Sequence, residues 1–326
     1  MATVRAVFGW CIAVVLGSSI VAGSCRGQCL DWIDGYGDGD PAPNQAVTAV
    51  ASGMLDGEAA VFVGGFFERI GGVPCKGLAT WDGSDWTPFD QWYDGWISAM
   101  VWADDGGGPA LFIIGAFYLT ENAPRSSVLR WRNGQWEDLG ADIGNDNPRA
   151  IVEHDGALYL VGGFLEINGQ PTRGLASWDG ASWTAYPDVT DGQIYAAASY
   201  TDQNGPALVI GGFFSEAGGV FAENVAMLRG GVWSGMGGGL RAGSCRALRV
   251  VNELGGPTLY AGGDFQVTGP SERLRSLARW DGGAWRRIGG NANDGGVLGR
   301  SVLSLGVLPG QFWDELVVAG DFDEGN

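Results

Sequence analysis

The sequence predicts an all-β protein, a β-propeller of about six four-stranded blades built from repeats of roughly 50 residues. Three observations carry this expectation. The first is composition: 58 Gly and 15 Trp among 326 residues, with Val, Phe, Ala and Leu gathered into short runs that show almost no helical period. Short apolar runs, glycine-rich punctuation and many aromatics read as strands joined by turns. The second is a small-residue doublet that closes a β-branched strand: FVGGFF at 62–67, IIGAFY at 113–118, LVGGFL at 160–165, VIGGFF at 209–214, YAGGDF at 260–265 and VVAGDF at 317–322. Its copies start 51, 47, 49, 51 and 57 residues apart. The third is a tryptophan hairpin 16 to 18 residues beyond each of the first five doublets.

The elements follow in chain order. MATVR and the apolar run AVFGWCIAVVLGSSIVAG read as an export leader, residues 1–23, with cleavage after Gly23 and Val21 and Gly23 as the small residues at the cut. A retained membrane anchor is the alternative, but the run is short and broken by Gly and Ser. Cys25 also admits a lipid anchor, although Ala22-Gly23-Ser24 fits a lipidation signal poorly. Residues 24–326 then form the propeller, in a protein expected to be secreted, periplasmic or at the cell surface. Loss of Arg5 takes the net charge from −18 to −19. So acidic a surface disfavours nucleic acid and anionic membranes as partners. Of the remaining cysteines, Cys25 and Cys29 are close enough to pair locally, and Cys75 and Cys245 are expected to be unpaired. None has zinc-site spacing.

Each repeat reads as four strands. An apolar strand such as AVTAVASG at 46–53 comes first and the doublet strand second. The arms of the hairpin follow: WDGSDW at 81–86, WRNGQW at 131–136, WDGASW at 178–183, LRGGVW at 228–233 and WDGGAW at 280–285. Their central residues suit the positive φ of two-residue type I′ or II′ turns. That turn places Trp81 opposite Trp86, Trp131 opposite Trp136, Trp178 opposite Trp183 and Trp280 opposite Trp285 in non-hydrogen-bonded pairs, where aromatic side chains approach most closely. Trp233 faces Leu228 in the fourth copy. Such units cannot bury their faces alone, and radial stacking covers each with its neighbour. The indoles are expected to lie over the doublets, since glycine within a strand marks close approach by another group.

These repeats resemble the kelch and galactose-oxidase type of propeller, and most closely exported bacterial repeats of pattern VGGxF…LAxWDGxxW and a fungal cortical polarity-marker family. The resemblance spans nearly all of residues 29–326 and implies the fold rather than a ligand. Its five-residue tryptophan spacing is shorter than that of ordinary kelch repeats. The sequence stops just past the sixth doublet, so the reading is either an irregular six-bladed ring or a piece of a longer chain. In the former, CLDWIDGYG at 29–37 completes the last blade.

Catalytic constellations are scarce. His154 is the one histidine, read as exposed polar surface on a turn, so neither a copper or zinc pair nor a Ser-His-Asp triad is supported. WDGGAW is one residue short of the sialidase box and lacks its upstream Ser. The candidate site is an acidic rim on the loops leaving the hairpins: Asp90 and Asp94, Asp142 and Asp146, Asp188 and Asp191. Asn293 and Asp294 extend it, and Asp34, Asp38 and Asp40 are calcium candidates without EF-hand spacing. Asp and Asn are equally good turn residues, so a purely structural use competes with this reading. The variable loops after the doublets offer a second surface. The function expected is non-catalytic binding of a protein, glycan or cation through one rim. The alternative is a polysaccharide hydrolase or lyase using carboxylates at the channel mouth.

Overall fold

A computed structural model describes residues 3–6, 11–16, 43–89, 94–122, 125–144, 147–268, 273–288, 301–308 and 314–321. The described residues contain no helix. The fold is the β-propeller arrangement, with five blades built from the repeat rather than about six. Two compact units contain them: residues 33–187, and residues 188–326 together with 1–32.

In the first unit three sheets follow one another, each an antiparallel meander of four strands. Val47–Leu55, Glu58–Gly65, Leu78–Trp81 and Trp86–Pro88 form the first. The second runs Asp94–Asp104, Pro109–Tyr118, Ser126–Arg132 and Gln135–Asp138. The third runs Pro148–His154, Ala157–Gly162, Leu175–Trp178 and Trp183–Ala185. The second unit holds two more sheets of this kind, spanning 193–235 and 245–287, and the hairpin of Ser301–Leu308 with Glu315–Asp321. Among the described residues that hairpin is followed by no tryptophan hairpin, and the blades built from the full repeat number five. Its sheet is completed by Cys11–Leu16 and Thr3–Ala6. Residues 29–37, expected to close it, lie outside the described residues.

The doublet has a sharper meaning than its spelling suggests. Every first strand carries a one-residue bulge, with Thr48, Ser98, Arg149, Tyr195, Arg246 and Leu303 as the extra residues. Opposite each bulge sits one glycine: Gly65, Gly115, Gly162, Gly212, Gly263 and Gly320. A Cβ there would land on the carbonyl oxygen of Ala46, Trp96, Asn147, Gln193, Ser244 or Ser301 respectively. The same carbonyl accepts the next backbone N–H, as Phe66 to Ala46 at 2.9 Å and Asp264 to Ser244 at 3.2 Å show. In this frame IIGAFY aligns Ile114-Gly115, and LVGGFL aligns Val161-Gly162, with the doublets of 64–65, 211–212 and 262–263. The sequence pattern alone is therefore one residue out of register in those two copies. Where the preceding residue is also glycine, the next sheet packs onto it: Met100 and Ile97 on Gly64, Cys245 and Leu248 on Gly211, Val302 and Leu305 on Gly262.

Two residues beyond the bulge glycine a phenylalanine points inward in all five blades. Phe67, Phe117, Phe164, Phe214 and Phe265 are all buried. Apolar clusters then join consecutive sheets within each unit, as Leu111, Ile113 and Phe117 join Phe62 and Leu78. Leu248, Leu259 and Trp280 join Val209 and Met236 in the same way.

The hairpin pairs form as expected. Trp81 and Trp86, Trp178 and Trp183, and Trp280 and Trp285 are register partners, with ring centroids 5.1, 5.4 and 5.3 Å apart. Trp131 pairs with Trp136 and Leu228 with Trp233. The turns divide into two kinds. In the three WDG copies only the first central residue has positive φ (Gly83, Gly180, Gly282), the mark of type II′. WRNG and LRGG have positive φ at both central residues, the mark of type I′. In the WDG copies the aspartate closes the turn: Asp179 Oδ1 accepts from the Ala181 and Ser182 amides at 2.9 and 2.8 Å.

The indoles do not cover the doublets. Trp86 and Trp233 lie on Gly71 and Gly218, glycines of two-residue ribbons inserted before the third strand, while the doublets are occupied by the neighbouring sheet and the bulge carbonyl. Trp178 belongs to the cluster between the second and third sheets. Cys75 and Cys245 are buried thiols rather than halves of a disulfide.

Two stability measurements follow. Trp178→Ala, at a side chain only 7% exposed, is expected to lower the urea-unfolding free energy by about 3–5 kcal/mol; a loss below about 0.5 kcal/mol would mean an exposed ring. Gly212→Ala is expected to cost about 1–3 kcal/mol by overpacking against the Gln193 carbonyl. Gly255→Ala, with open space around it, should cost nothing, so equal effects at the two glycines would sink the bulge account.

Candidate binding cleft

The alternation of a strand explains the site. In GGFF the second phenylalanine enters the core, so the first must face out, and Phe66 is 46% exposed. Trp96, near the start of the first strand of the next sheet, stacks on it with centroids 5.4 Å apart and planes 16° apart. Phe66 and Trp96 line a cavity of about 430 Å³ with Tyr118, Arg125 and Asn147. A second cavity, of about 440 Å³, shares Tyr118 and Arg125 and continues along Ser126, Asp138 and Asp142. All of these residues lie in the 33–187 unit. Tyr118 ends the second strand of its sheet, and Arg125 sits in the loop beyond it, donating to the Gly144 carbonyl. The cleft thus combines hairpin-exit loops and post-doublet loops, the two loop sets singled out in the sequence.

The acidic residues fare unevenly. Asp142 lines the second cavity, where its carboxylate accepts from the Gly144 amide at 3.0 Å. Asp138 beside it accepts from Ser126 Oγ and, at 2.9 Å, from the Gly140 amide. Asp188 is exposed on the linker that opens the other unit. Asp191 there is a structural cap: its Oδ1 accepts from the amides of Ser215 and Glu216 at 2.8 and 3.0 Å, and its Oδ2 from the Ser215 hydroxyl. Burial pushes its pKa up, but these donors outweigh it and hold the carboxyl below its ordinary value. Asp94 opens a strand, paired with Tyr118. Asp90, Asp146, Asp34, Asp38, Asp40, Asn293 and Asp294 lie outside the described residues, as do Cys25 and Cys29. Among the described residues no group of three or more His, Cys, Asp or Glu side chains is arranged to hold a metal ion.

Other charged groups serve the blades. Asp105, its side chain 1% exposed, pairs with Arg130 and Arg132. Burial raises its pKa, yet the two guanidiniums overcome that and keep it lowered. Asp202 with Arg229 and Glu253 with Arg279 repeat the arrangement in the second unit. Asp281 holds its hairpin through Arg286 and the Ala284 and Gly283 amides, which lower its pKa to about 2. The bulges also re-aim side chains: in the second unit Arg246 lies over the Tyr195 ring at 5.9 Å, both of them bulge residues of consecutive sheets.

His154 is buried rather than exposed, at 8%. It ends a strand before the tight turn of Asp155 and Gly156, and it packs by Tyr159 at 5.8 Å. Burial lowers its pKa, opposed by Asp155 and Glu153. Below the unfolded value of about 6.5 the unfolded chain takes up a proton that the folded chain resists. Stability is therefore expected to fall as pH drops through that value, and His154→Gln should flatten the fall in a melting series from pH 8 to 5.5. An unchanged slope would contradict the burial.

No protein-family model matches this chain, and no curated protein matches it. Among solved structures it is similar to the extracellular domain of a hybrid two-component system from B. thetaiotaomicron, with 12% identity and a TM-score of 0.31 over 83% of this chain and 27% of that one. The chain thus spans about a quarter of that structure's length. Among the described residues no helix is long and apolar enough to cross a membrane.

Proposed function

We propose that this protein is an exported, non-catalytic glycan-binding propeller that holds its ligand in the cleft between Phe66 and Asp142. The observation that carries the reading is the exposed Phe66–Trp96 stack beside Tyr118, Arg125, Asn147 and Asp142. Aromatic surfaces suit the C–H faces of sugar rings. Planar guanidinium, amide and carboxylate groups suit pairs of adjacent hydroxyls. Apolar lining with a few convergent polar groups is the usual make-up of a small-ligand site. Two cavities meeting at Tyr118 and Arg125 give the length for more than one sugar unit. The apolar leader-like run at residues 1–23 and the net charge of −18 support export and solubility. The repeat pattern supports kinship with kelch and galactose-oxidase-type propellers.

One observation favours a second reading. Asp138 and Asp142 line the same cavity, as a polysaccharide hydrolase or lyase would require. Both carboxylates, however, already accept backbone amides of their own loop, which suits anchoring better than proton transfer.

A glycan array followed by calorimetry on the full chain tests the proposal. Phe66→Ala and Trp96→Ala are each expected to weaken the best ligand by about tenfold, the loss of one stacking platform. Binding unaffected by both would move the site elsewhere. Turnover of an array hit that Asp142→Asn abolishes would establish the hydrolytic reading instead.

A further inference from the structure

The loop that walls the second cavity is an extended segment with two faces. Leu139, Ala141 and Ile143 enter the cluster between the second and third sheets and are buried. Gly140, Asp142 and Gly144 are consequently turned outward, and all three line the cavity. Burial fixes the depth of such a segment but leaves its backbone groups to be satisfied. Within the second sheet the Leu139 amide donates to the Val128 carbonyl at 3.2 Å, and Arg125 donates to the Gly144 carbonyl. The third sheet reaches across to the same loop. Trp183 Nε1 donates to the Leu139 carbonyl at 2.8 Å. The Asn168 amide donates to the Asp142 carbonyl at 2.7 Å, and Asn168 Oδ1 accepts from the Asp142 amide at 2.8 Å. Neither Trp183 nor Asn168 lines either cavity.

Asn168 departs from the repeat to make this clasp. It sits at the left-handed corner of the ribbon before the third strand, with φ of 52°. The ribbons of the sheets at 47–88 and 193–235 carry Gly71 and Gly218 there, both at 58°. The backbone half of the clasp recurs, since the Gly218 amide donates to the Val189 carbonyl at 2.7 Å. The side-chain half does not, because glycine has no oxygen to offer. Glycine meets such a φ at less cost than asparagine, so the local backbone gives no reason for the change. The bond to Asp142 does.

We propose that Asn168 is a positioning residue of the cleft: from the neighbouring sheet it holds the Asp142 wall in its binding geometry without touching the bound sugar. The ligand class rests on the glycan reading; the clasp itself does not. A wall fixed before binding spares the complex the entropy of ordering it.

Amide exchange read by NMR on the full chain tests the clasp without any ligand. Asn168→Gly keeps the backbone half and suits the φ. It should speed exchange of the Asp142 amide by about tenfold or more while Leu160, in the doublet strand of the third sheet, holds. Asn168→Asp keeps an acceptor oxygen and should leave Asp142 protected. Calorimetry with the best-binding oligosaccharide of the array then reads the consequence. Asn168→Gly should weaken it about three- to tenfold, the worth of one net hydrogen bond, and Asn168→Asp should stay within about twofold of the parent. In an Asp142→Ala background Asn168→Gly should add nothing. Unchanged exchange at Asp142, acceleration that includes Leu160, or losses that add in the double variant overturn the proposal. An array with no hit overturns the glycan reading, and exchange at Asp142 then decides the clasp by itself.

Discussion

A backbone carbonyl pressed against a glycine Cα organises this protein. In each of the six four-stranded sheets the first strand bulges by one residue, and the carbonyl before the bulge leans onto the glycine opposite, where any Cβ would collide with it. From that contact the rest follows in sequence. The bulge turns the first strand and re-aims one side chain. The chain then leaves the glycine with its next residue facing out and the one after it buried, which places Phe67, Phe117, Phe164, Phe214 and Phe265 in the core. Where a second glycine precedes the first, the neighbouring sheet closes to backbone distance, as Ile97 and Met100 do on Gly64. The constraint is one of space. These glycines are not in the left-handed region, so what they supply is the missing side chain rather than a special φ.

The tryptophan hairpins are the complementary device at the outer edge. Each is set by its turn, and the turn by an aspartate or by an Asn-Gly or Gly-Gly pair. The indoles are chosen for area more than for polarity: Nε1 of Trp86, Trp178, Trp280 and Trp285 makes no hydrogen bond with the described residues, whereas Trp183 donates to the Leu139 carbonyl at 2.8 Å. Buried aromatics that leave an N–H unmatched give up part of what their burial gains. The acidic composition meets the same demand for local order. Asp82, Asp179, Asp191 and Asp281 all spend their oxygens on backbone amides of turns and linkers.

That use of carboxylates divides the acidic rim residues by the donors around each one. Sequence position identifies an aspartate in a loop; only coordinates show which donors surround it. Asp142 keeps a place on a cavity wall, and Asp191 does not act as a free rim charge. The aromatic members of the cleft had a visible signal. A pair of adjacent phenylalanines after a strand glycine must divide between core and surface, and so Phe66 was identifiable as an outward ring. Trp96, also outside the candidate residues, was legible only as a tryptophan near the start of a strand and outside the hairpin pattern. Their stacking was not, because it joins residues of two different sheets.

The sequence by itself determined the class of fold, the period, the four-strand content of each repeat and the facing tryptophan pairs, because all of these are local: turn chemistry and strand alternation act over a few residues. Tertiary structure alone decided which glycine of each doublet is indispensable, that the indoles rest on Gly71 and Gly218, that His154 is buried, and that residues 12–15 pair with the far end of the chain. Each of those depends on atoms brought together across sheets, where spacing along the chain carries no information about distance.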